Sequence, residues 1–234
     1  MTFPAEQPPV PDVVSEIAGG RAVRAVWLNE LGGTTFALDN GSEYVKVYAA
    51  AEAHQLVVEQ TRLAWAAGFS TVPRVLSSGP GWMHTAGLPG RSAVHPCWAA
   101  RPVTAARAIG AGLRLLHDAL PVADCPFGAP SWIPDDAPPA DRLVVCHGDA
   151  CAPNTMISDD GSCAGHVDLA DLGVADRWSD LAVATMSLAW NYPSGGQERS
   201  DRGMYSVEEA ELFEAYGVEP DRERIAYYRL RWEE

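Results

Sequence analysis

The sequence has little positive charge and no long apolar run. Its 17 basic and 31 acidic residues give a formal net charge of −14 at pH 7, and such a chain repels nucleic acid phosphates and anionic membranes. No apolar stretch reaches the ~20 residues of a membrane-spanning helix, and residues 1–14 lack the basic start and apolar run of a signal peptide. We expect a soluble, cytoplasmic protein that binds neither nucleic acid nor membrane.

Cysteine is present but not paired in sequence. The five cysteines are an odd set without a CxxC pair, which argues against a disulfide framework and a structural zinc site. We expect reduced thiols. A hydrophobic share of 47% with 21% charged residues over 234 residues is typical of a folded chain that forms one large domain or two small lobes.

Lysine is the scarcest of the charged residues. Lys46 is the only lysine among the 17 basic residues. A lysine is a compact point charge, whereas the arginine guanidinium is a planar fork, so a site that must reach a phosphate from a packed strand can require lysine. The alternative is chance in an arginine-rich chain.

The first part of the chain reads as an antiparallel β lobe. The pair Asn40-Gly41 is a strong hairpin signal between two of its strands. Gly87-Leu88-Pro89-Gly90 interrupts the pattern as a hinge would. We predict a lobe over 1–86 with strands, one helix and two further short strands, in this order: 22–29, 34–39, 43–48, helix 49–67, 73–78 and 82–85.

The second part, 91–234, reads as mainly helical. Apolar residues recur every three or four positions over 104–120, which predicts an amphipathic helix. We predict a proline-rich loop over 121–141, a buried-type strand over 143–146 and a hairpin over 155–168. Three more helices are predicted over 178–190, 207–216 and 221–232, with a polar loop over 191–203. The whole pattern predicts an α+β protein.

The segment HGDACAPN, residues 147–154, holds the densest set of functional residue types. Its spacing of aspartate, four residues and asparagine is that of the kinase catalytic loop, where the carboxylate accepts the proton of an acceptor hydroxyl and the amide oxygen holds Mg²⁺. Asp149 and Asn154 fit these roles. The next hairpin turns about Gly161, which lies seven residues from both Asn154 and Asp168. We therefore expect Asp168 to meet Asn154 as a second oxygen ligand of Mg²⁺.

Two other interpretations of these residues remain open. Asp149 could cap a turn while Asn154 bonds its own backbone, as short polar loop residues often do. Alternatively, His147, Asp149, His166 and Asp168 could form a hydrolytic metal cluster, although the hairpin alternation leaves too few ligands on one face. We expect His147 to brace the loop rather than act as a base.

A second set of candidate residues lies in the predicted β lobe. The glycine-rich segment 31–35 contains Gly33 and Thr34, where backbone amides could approach phosphates, although such a segment is usually just a turn. Lys46 follows on the next strand, and Glu59 lies on the helix after it. In kinases a lysine–glutamate ion pair orients the cation on the α- and β-phosphates. Glu52 is a competing partner.

The motifs VVCHGDACAPN (144–154), HVDLADLGVADRWSDLAVA (166–184), the YVKV strand and the closing DRERIAYYRLRWEE resemble the aminoglycoside phosphotransferase family, in its 3'- and 3''-phosphotransferase branches. The resemblance covers nearly the whole chain. It implies a two-lobed protein-kinase-like fold, with a small antiparallel β N-lobe that carries one helix and a mainly helical C-lobe.

The resemblance also implies roles for individual residues. Asp149 is the implied catalytic residue, Asn154 and Asp168 the Mg²⁺ ligands, and Lys46 with Glu59 the phosphate clamp of ATP or GTP. Ala86 and Leu88 are the implied backbone contacts of adenine, and Glu233 is an implied contact of a cationic drug, with Glu234 beside it. The implied activity is transfer of the γ-phosphate to a drug hydroxyl, giving antibiotic resistance. We expect a monomer or a dimer.

Two departures from the family pattern are visible. Asp171 stands where relatives usually carry arginine, which removes a positive charge near the phosphates. The proline-rich 121–141 stretch replaces a helical insertion, so we expect a more open acceptor pocket. The acidic C-terminal quarter, from Asp201 to Glu234, is expected to attract a small polycation. Rival hypotheses are a kinase of another small alcohol, such as choline, homoserine or a different antibiotic, and a nucleotide- or drug-binding protein without turnover.

Overall fold

A computed structural model describes residues 4–29, 32–192 and 205–233. The chain divides into two compact units, one formed by 1–68 with 72–88 and the other by 69–71 with 89–234. The change of unit thus falls between Leu88 and Pro89, while the hinge role of 87–90 remains a prediction. Strands dominate the first unit and helices the second, so the predicted α+β class is confirmed.

The first unit is built on a five-stranded antiparallel sheet with the strand order β1-β2-β3-β5-β4. Its strands are β1 (Val23–Leu28), β2 (Thr34–Leu38), β3 (Glu43–Val47), β4 (Val75–Gly79) and β5 (Trp82–Ala86). The predicted hairpin joins β2 to β3, and Asn40 and Gly41 adopt φ values of 57° and 92°. This left-handed backbone is the reason why an Asn-Gly pair favours the turn.

Two helices accompany this sheet, α1 (Asp12–Ala18) and α2 (Ala53–Ala66). The sequence predicted only α2. Val14 and Ala18 of α1 are buried with Phe36, Leu38 and Val45 of the sheet. The short α1 follows the proline-rich arm and is stabilised by this apolar contact, because a helix of only seven residues is marginal on its own.

The second unit packs helices around one core and holds two small sheets. Its helices are α3 (Pro96–Ala99), α4 (Pro102–Ala119), α5 (Arg177–Asn191), α6 (Val207–Tyr216) and α7 (Arg222–Trp232). Its strands are β6 (Arg91–Ser92), β7 (Leu143–Cys146), β8 (Thr155–Ile157), β9 (Cys163–His166) and β10 (Gly173–Asp176). The helices α4 to α7 bury large side chains such as Trp178, Tyr216 and Tyr228 between them.

The small sheets fix the ends of the segments that carry the candidate site. β7 pairs antiparallel with β10, and the three-stranded sheet has the order β6-β8-β9. β7 and the β8–β9 hairpin were predicted from the sequence, whereas β6, β10 and α3 were not. The loop 147–154 therefore connects β7 of the two-stranded sheet to β8 of the three-stranded sheet.

No helix among the described residues is long and apolar enough to span a membrane. The polar loop predicted over 191–203 lies, from residue 193 onwards, outside the described residues.

Candidate active site

The loop that carries Asp149 is held by a buried carboxylate from another element. Asp180 of α5 is fully buried, and its Oδ2 accepts the backbone N–H of His147 at 2.6 Å while its Oδ1 accepts that of Gly148 at 3.0 Å. Both bonds are charge-assisted and therefore stronger than neutral ones. The position of Asp149 is thus fixed through the two residues that precede it.

Asp180 itself lies in a closed polar network. His117 Nε2 is 2.9 Å from Asp180 Oδ2, and His117 Nδ1 is 2.9 Å from the hydroxyl of Tyr216. Burial acts to raise the pKa of Asp180, but the hydrogen bond and charge of His117, with His147, outweigh it and lower that pKa. Asp180 is therefore a carboxylate that accepts hydrogen bonds from its surroundings. The sequence reasoning missed it, because a single aspartate in an apolar helix carries no local signal of its partners.

Two further backbone groups of this loop have side-chain partners. The carbonyl oxygen of Gly148 accepts the indole N–H of Trp132 at 2.7 Å, and the N–H of Asp149 donates to His147 Nδ1 at 3.2 Å. Gly148 has a φ of 85°, and a Cβ atom there would lie 2.1 Å from the carbonyl oxygen of Asp171. Only glycine fits this position.

Asp149 and Asn154 contact each other directly. The amide nitrogen of Asn154 donates to the backbone oxygen of Asp149 at 2.9 Å and to its Oδ2 at 3.1 Å. Asp149 Oδ1 is buried and has no hydrogen-bond partner within the described part of the chain. An unpartnered buried carboxylate oxygen is costly unless a ligand uses it.

The surroundings of Asp149 oppose its charge. Burial raises the pKa of this carboxyl group, and the nearby Asp168 adds to the effect, while the Cys151 thiol, His147 and Asn154 lower it. A raised pKa in a carboxylate with an unpartnered oxygen is typical of functional sites. The arrangement does not fit the capping interpretation, because Asp149 uses neither oxygen to cap a backbone N–H in the described bonds.

Asn154 and Asp168 both lie at the open end of the β8–β9 hairpin. The N–H of Val167 donates to the backbone oxygen of Asn154 at 3.0 Å, so Asn154 faces Val167, and Asp168 comes one residue later. The offset arises because Ile157 pairs with Cys163, which centres the hairpin on Asp160 rather than on Gly161, and the register shift between Met156 and Ile157 reduces it to one residue. The side-chain nitrogen of Asn154 bonds two oxygens of Asp149, so the side-chain oxygen of Asn154 points away from Asp149. An amide oxygen and a carboxylate oxygen are donors of the kind that Mg²⁺ prefers, so the ligand role of Asn154 and Asp168 stays a prediction.

His147 braces the loop, as predicted. Its side chain is buried, and its Nε2 lies 3.0 Å from the carbonyl oxygen of Val167. The alternative hydrolytic cluster is not formed: among the described residues, metal-type side chains converge only at His117, Cys146 and Asp180. His117 and Asp180 already bond each other there, so this group is a satisfied buried network.

Lys46 and Glu59 form the predicted ion pair in the first unit. Lys46 Nζ lies 2.8 Å from both Oε1 and Oε2 of Glu59. Glu59 is buried, and Lys46 retains 19% side-chain exposure. Glu52 lies in a 3₁₀ turn just before α2, so the helix-borne Glu59 is the partner of the lysine.

The two described glycines of the glycine-rich segment, Gly32 and Gly33, both bond Asn29, which follows β1. The N–H of Gly33 donates to Asn29 Oδ1 at 2.7 Å, and that of Gly32 donates to the Asn29 backbone oxygen at 3.2 Å. A Cβ on Gly33 would lie 2.7 Å from the Tyr48 ring. Both glycine amides therefore already have a partner in Asn29, and phosphate binding by the amide of Gly33 would require it to leave Asn29.

The predicted adenine contacts lie at the end of β5. The N–H of Ala86 donates to the carbonyl oxygen of Arg74 at 2.9 Å, so an adenine contact at Ala86 would use its carbonyl oxygen. Leu88 is the last residue of the first unit.

The acidic C-terminal quarter is less uniform than the sequence suggested. Glu209 bonds Ser206 in a helix capping box and pairs with Arg229 at 2.6 Å, and Glu211 pairs with Arg107. These two acids are neutralised locally. Glu233 is exposed at the end of α7, while Asp201 and Glu234 lie outside the described residues.

An antiparallel β unit with a lysine–glutamate pair and a helical unit with an aspartate–asparagine loop define the class of kinase-like phosphotransferases. Residues 123–228 match the phosphotransferase enzyme family. The chain is 30% identical to the streptomycin 3''-kinase of Streptomyces griseus, over 87% of this chain and 89% of that protein. It is also 30% identical to the aminoglycoside 3'-phosphotransferase of Streptomyces fradiae, over 76% and 79% of the two chains.

Solved structures agree with these relatives. The aminoglycoside phosphotransferase APH(3'')-Id of Streptomyces rimosus superposes with a TM-score of 0.71 at 26% identity, covering 95% of this chain and 98% of that one. A type VIII aminoglycoside 3'-phosphotransferase gives a TM-score of 0.72 at 26% identity, covering 95% and 97%. This chain belongs to the aminoglycoside phosphotransferase family, so the resemblance seen in the sequence and the kinase-like fold are confirmed.

Proposed function

We propose that this protein transfers the γ-phosphate of ATP or GTP to a hydroxyl of an aminoglycoside and thereby confers resistance to it. The carboxylate of Asp149 carries the proposal: Oδ2 is fixed by Asn154, while Oδ1 is buried without a partner among the described residues. The hydroxyl of an acceptor would supply a hydrogen-bond donor to this oxygen. Once its proton is accepted by Asp149, the hydroxyl oxygen can attack the γ-phosphate.

Asp149 would act by orienting the hydroxyl and accepting its proton. Phosphoryl transfer asks little covalent chemistry of the protein, so positioning and electrostatics supply most of the rate. The bonds from Asp180, Trp132 and His147 to the loop support this role, since they hold the loop before any substrate binds.

Mg²⁺ would be held by Asn154 and Asp168, whose amide and carboxylate oxygens fit its ligand preference. When bound, this ion neutralises charge on the β- and γ-phosphates. Asn154 would thus have two tasks: its nitrogen bonds Asp149, and its oxygen would be a ligand of the metal.

The first unit would bind the nucleotide. The Lys46–Glu59 pair supports a phosphate clamp, because Glu59 holds the ammonium group with both oxygens and leaves the lysine partly exposed. Ala86 and Leu88 are proposed to contact the adenine through the backbone, and Gly33 with Thr34 to lie beside the phosphates.

The acceptor is proposed to be a polycation. The net charge of −14 favours a cationic substrate through long-range attraction, and the exposed Glu233, with Glu234 beside it in the sequence, is the proposed contact. The Streptomyces griseus relative is named for streptomycin, and the Streptomyces rimosus enzyme has been solved with ADP and streptomycin. Streptomycin is therefore the first acceptor to test.

The test is mass spectrometry of streptomycin, kanamycin, choline and glucose after incubation with the protein, MgCl₂ and ATP or GTP. We expect one phosphoryl group on at least one aminoglycoside and none on glucose. Asp149→Ala serves as the inactive control. Phosphorylation of choline without that of either aminoglycoside would favour the small-alcohol kinase, and no transfer to any acceptor would favour the binding protein. The monomeric or dimeric state and the cytoplasmic location stay predictions.

A further inference from the structure

The proline-rich segment that replaces the family's helical insertion contacts the catalytic loop. Trp132 of this segment donates its indole N–H to the carbonyl oxygen of Gly148 at 2.7 Å. Gly148 precedes Asp149, so this bond holds the peptide group that joins the two residues. The neighbouring Ser131 hydroxyl donates to Asp171 Oδ1 at 2.8 Å.

The ring of Trp132 also contacts the C-terminal helix. Its centroid lies 5.0 Å from that of Trp232 at an interplanar angle of 89°, and 6.2 Å from that of Tyr228 at 90°. Edge-to-face contacts of this kind are favourable and fix the relative position of the rings. Trp232 is followed directly by Glu233, the proposed acceptor contact.

We infer that Trp132 is a positioning residue that fixes the distance between the catalytic loop, residues 147–154, and the C-terminal end of α7. One side chain bonds the peptide group before Asp149 and packs against the residue before Glu233. Asp149 is proposed to meet the hydroxyl and Glu233 the cationic part of the same acceptor, so their spacing determines whether the bound acceptor is aligned for transfer. This inference rests on the proposed function.

Asp171 also contacts this proline-rich segment. Where relatives usually carry arginine, Asp171 accepts a hydrogen bond from Ser131, and its backbone oxygen packs against Gly148. Ser131 thus anchors the segment to the side of the loop where Trp132 binds. In this bond Asp171 is the acceptor, a role that an arginine at this position could not take, because a guanidinium group only donates hydrogen bonds.

The test compares Trp132→Phe with Trp190→Phe. Phenylalanine keeps an aromatic ring at position 132 but removes the N–H, and Trp190 is a matched control with 55% exposure. We expect Trp132→Phe to lower kcat for the aminoglycoside about three- to tenfold, the factor of one lost net hydrogen bond, with an unchanged KM for ATP. We expect Trp232→Ala to raise the KM of the aminoglycoside more than it lowers kcat.

Hydrogen exchange supplies a readout that needs no acceptor. Amides of 147–154 should exchange faster in Trp132→Phe than in Trp190→Phe, which would hold even if the aminoglycoside were the wrong substrate. Replacement of Trp132 by benzothienylalanine, which keeps the bicyclic ring and lacks the N–H, repeats the test if phenylalanine disturbs folding. The inference would be overturned if amide exchange of 147–154 were unchanged in both Trp132→Phe and the benzothienylalanine variant, or if these variants kept the wild-type kcat with a confirmed acceptor.

Discussion

Removal of the Asp180 carboxylate should destabilise the protein and disorder its catalytic loop. Asp180→Ala leaves three buried donors without their acceptor: the N–H groups of His147 and Gly148 and Nε2 of His117. Each unsatisfied buried group costs about 1–3 kcal/mol, and loss of one partner of a buried charged pair costs about 3–5 kcal/mol in total. We expect the free energy of unfolding to fall by about 3–5 kcal/mol, out of a typical 5–15 kcal/mol.

Urea unfolding followed by circular dichroism measures this change, with Asp136→Ala as the control. Asp136 is exposed, so its replacement should change stability by less than about 0.5 kcal/mol. Asp180→Asn should fall between the two, because the amide keeps one acceptor oxygen but turns a donor toward the loop. A loss below about 1 kcal/mol for Asp180→Ala, less than the cost of one buried donor, would refute the role of Asp180 as the anchor.

Three further predictions concern pH, the nucleotide and the acceptor. Burial lowers the pKa of His166 to about 3, below the ordinary ~6.5 of the unfolded chain. As the pH falls, the unfolded state therefore takes up this proton before the folded state does. The free energy of unfolding of the wild type should drop by up to about 1.4 kcal/mol per pH unit below ~6. His166→Gln should flatten this slope in urea titrations, and an equal slope would contradict the assignment. Lys46, the only lysine, should be protected from an amine reagent by MgATP, as mass spectrometry of the labelled peptide can show; equal labelling would exclude the clamp. Glu233→Ala should raise the KM of the aminoglycoside more than it lowers kcat, and wild-type kcat/KM should fall with salt; a salt-independent value would argue against a polycationic acceptor.

The parts of the fold that local sequence determines could be predicted. Asn40-Gly41 specifies its hairpin through backbone conformation alone, and α4 follows from its apolar periodicity. The strand β10 could not be predicted, because its four residues have no strand pattern and are fixed by pairing with β7, about 30 positions earlier in the chain. The helix α1 depends in the same way on burial against the sheet.

In the candidate site, too, residues that belong to a local motif could be predicted, whereas residues that act through contacts with distant segments could not. Asp149, Asn154 and Asp168 share a motif spacing and could be found from the sequence, as could the Lys46–Glu59 pair. Asp180 and Trp132 act through contacts with backbone groups of a distant segment, and backbone groups carry no sequence signal. The offset of Asp168 from Asn154 was not predicted, because a count from Gly161 misplaces the centre of the hairpin, which the pairing of Ile157 with Cys163 puts at Asp160.

The central claim is that the Asp149 carboxylate orients and deprotonates the acceptor hydroxyl. Asp149→Asn tests it most directly, because the side chain keeps its shape and loses its basicity. With streptomycin, or whichever aminoglycoside is phosphorylated, we expect kcat to fall by about 10²–10⁴ while the Kd for MgATP measured by calorimetry stays unchanged. A variant that keeps more than about a tenth of the wild-type kcat, a loss smaller than a general base allows, would contradict the account.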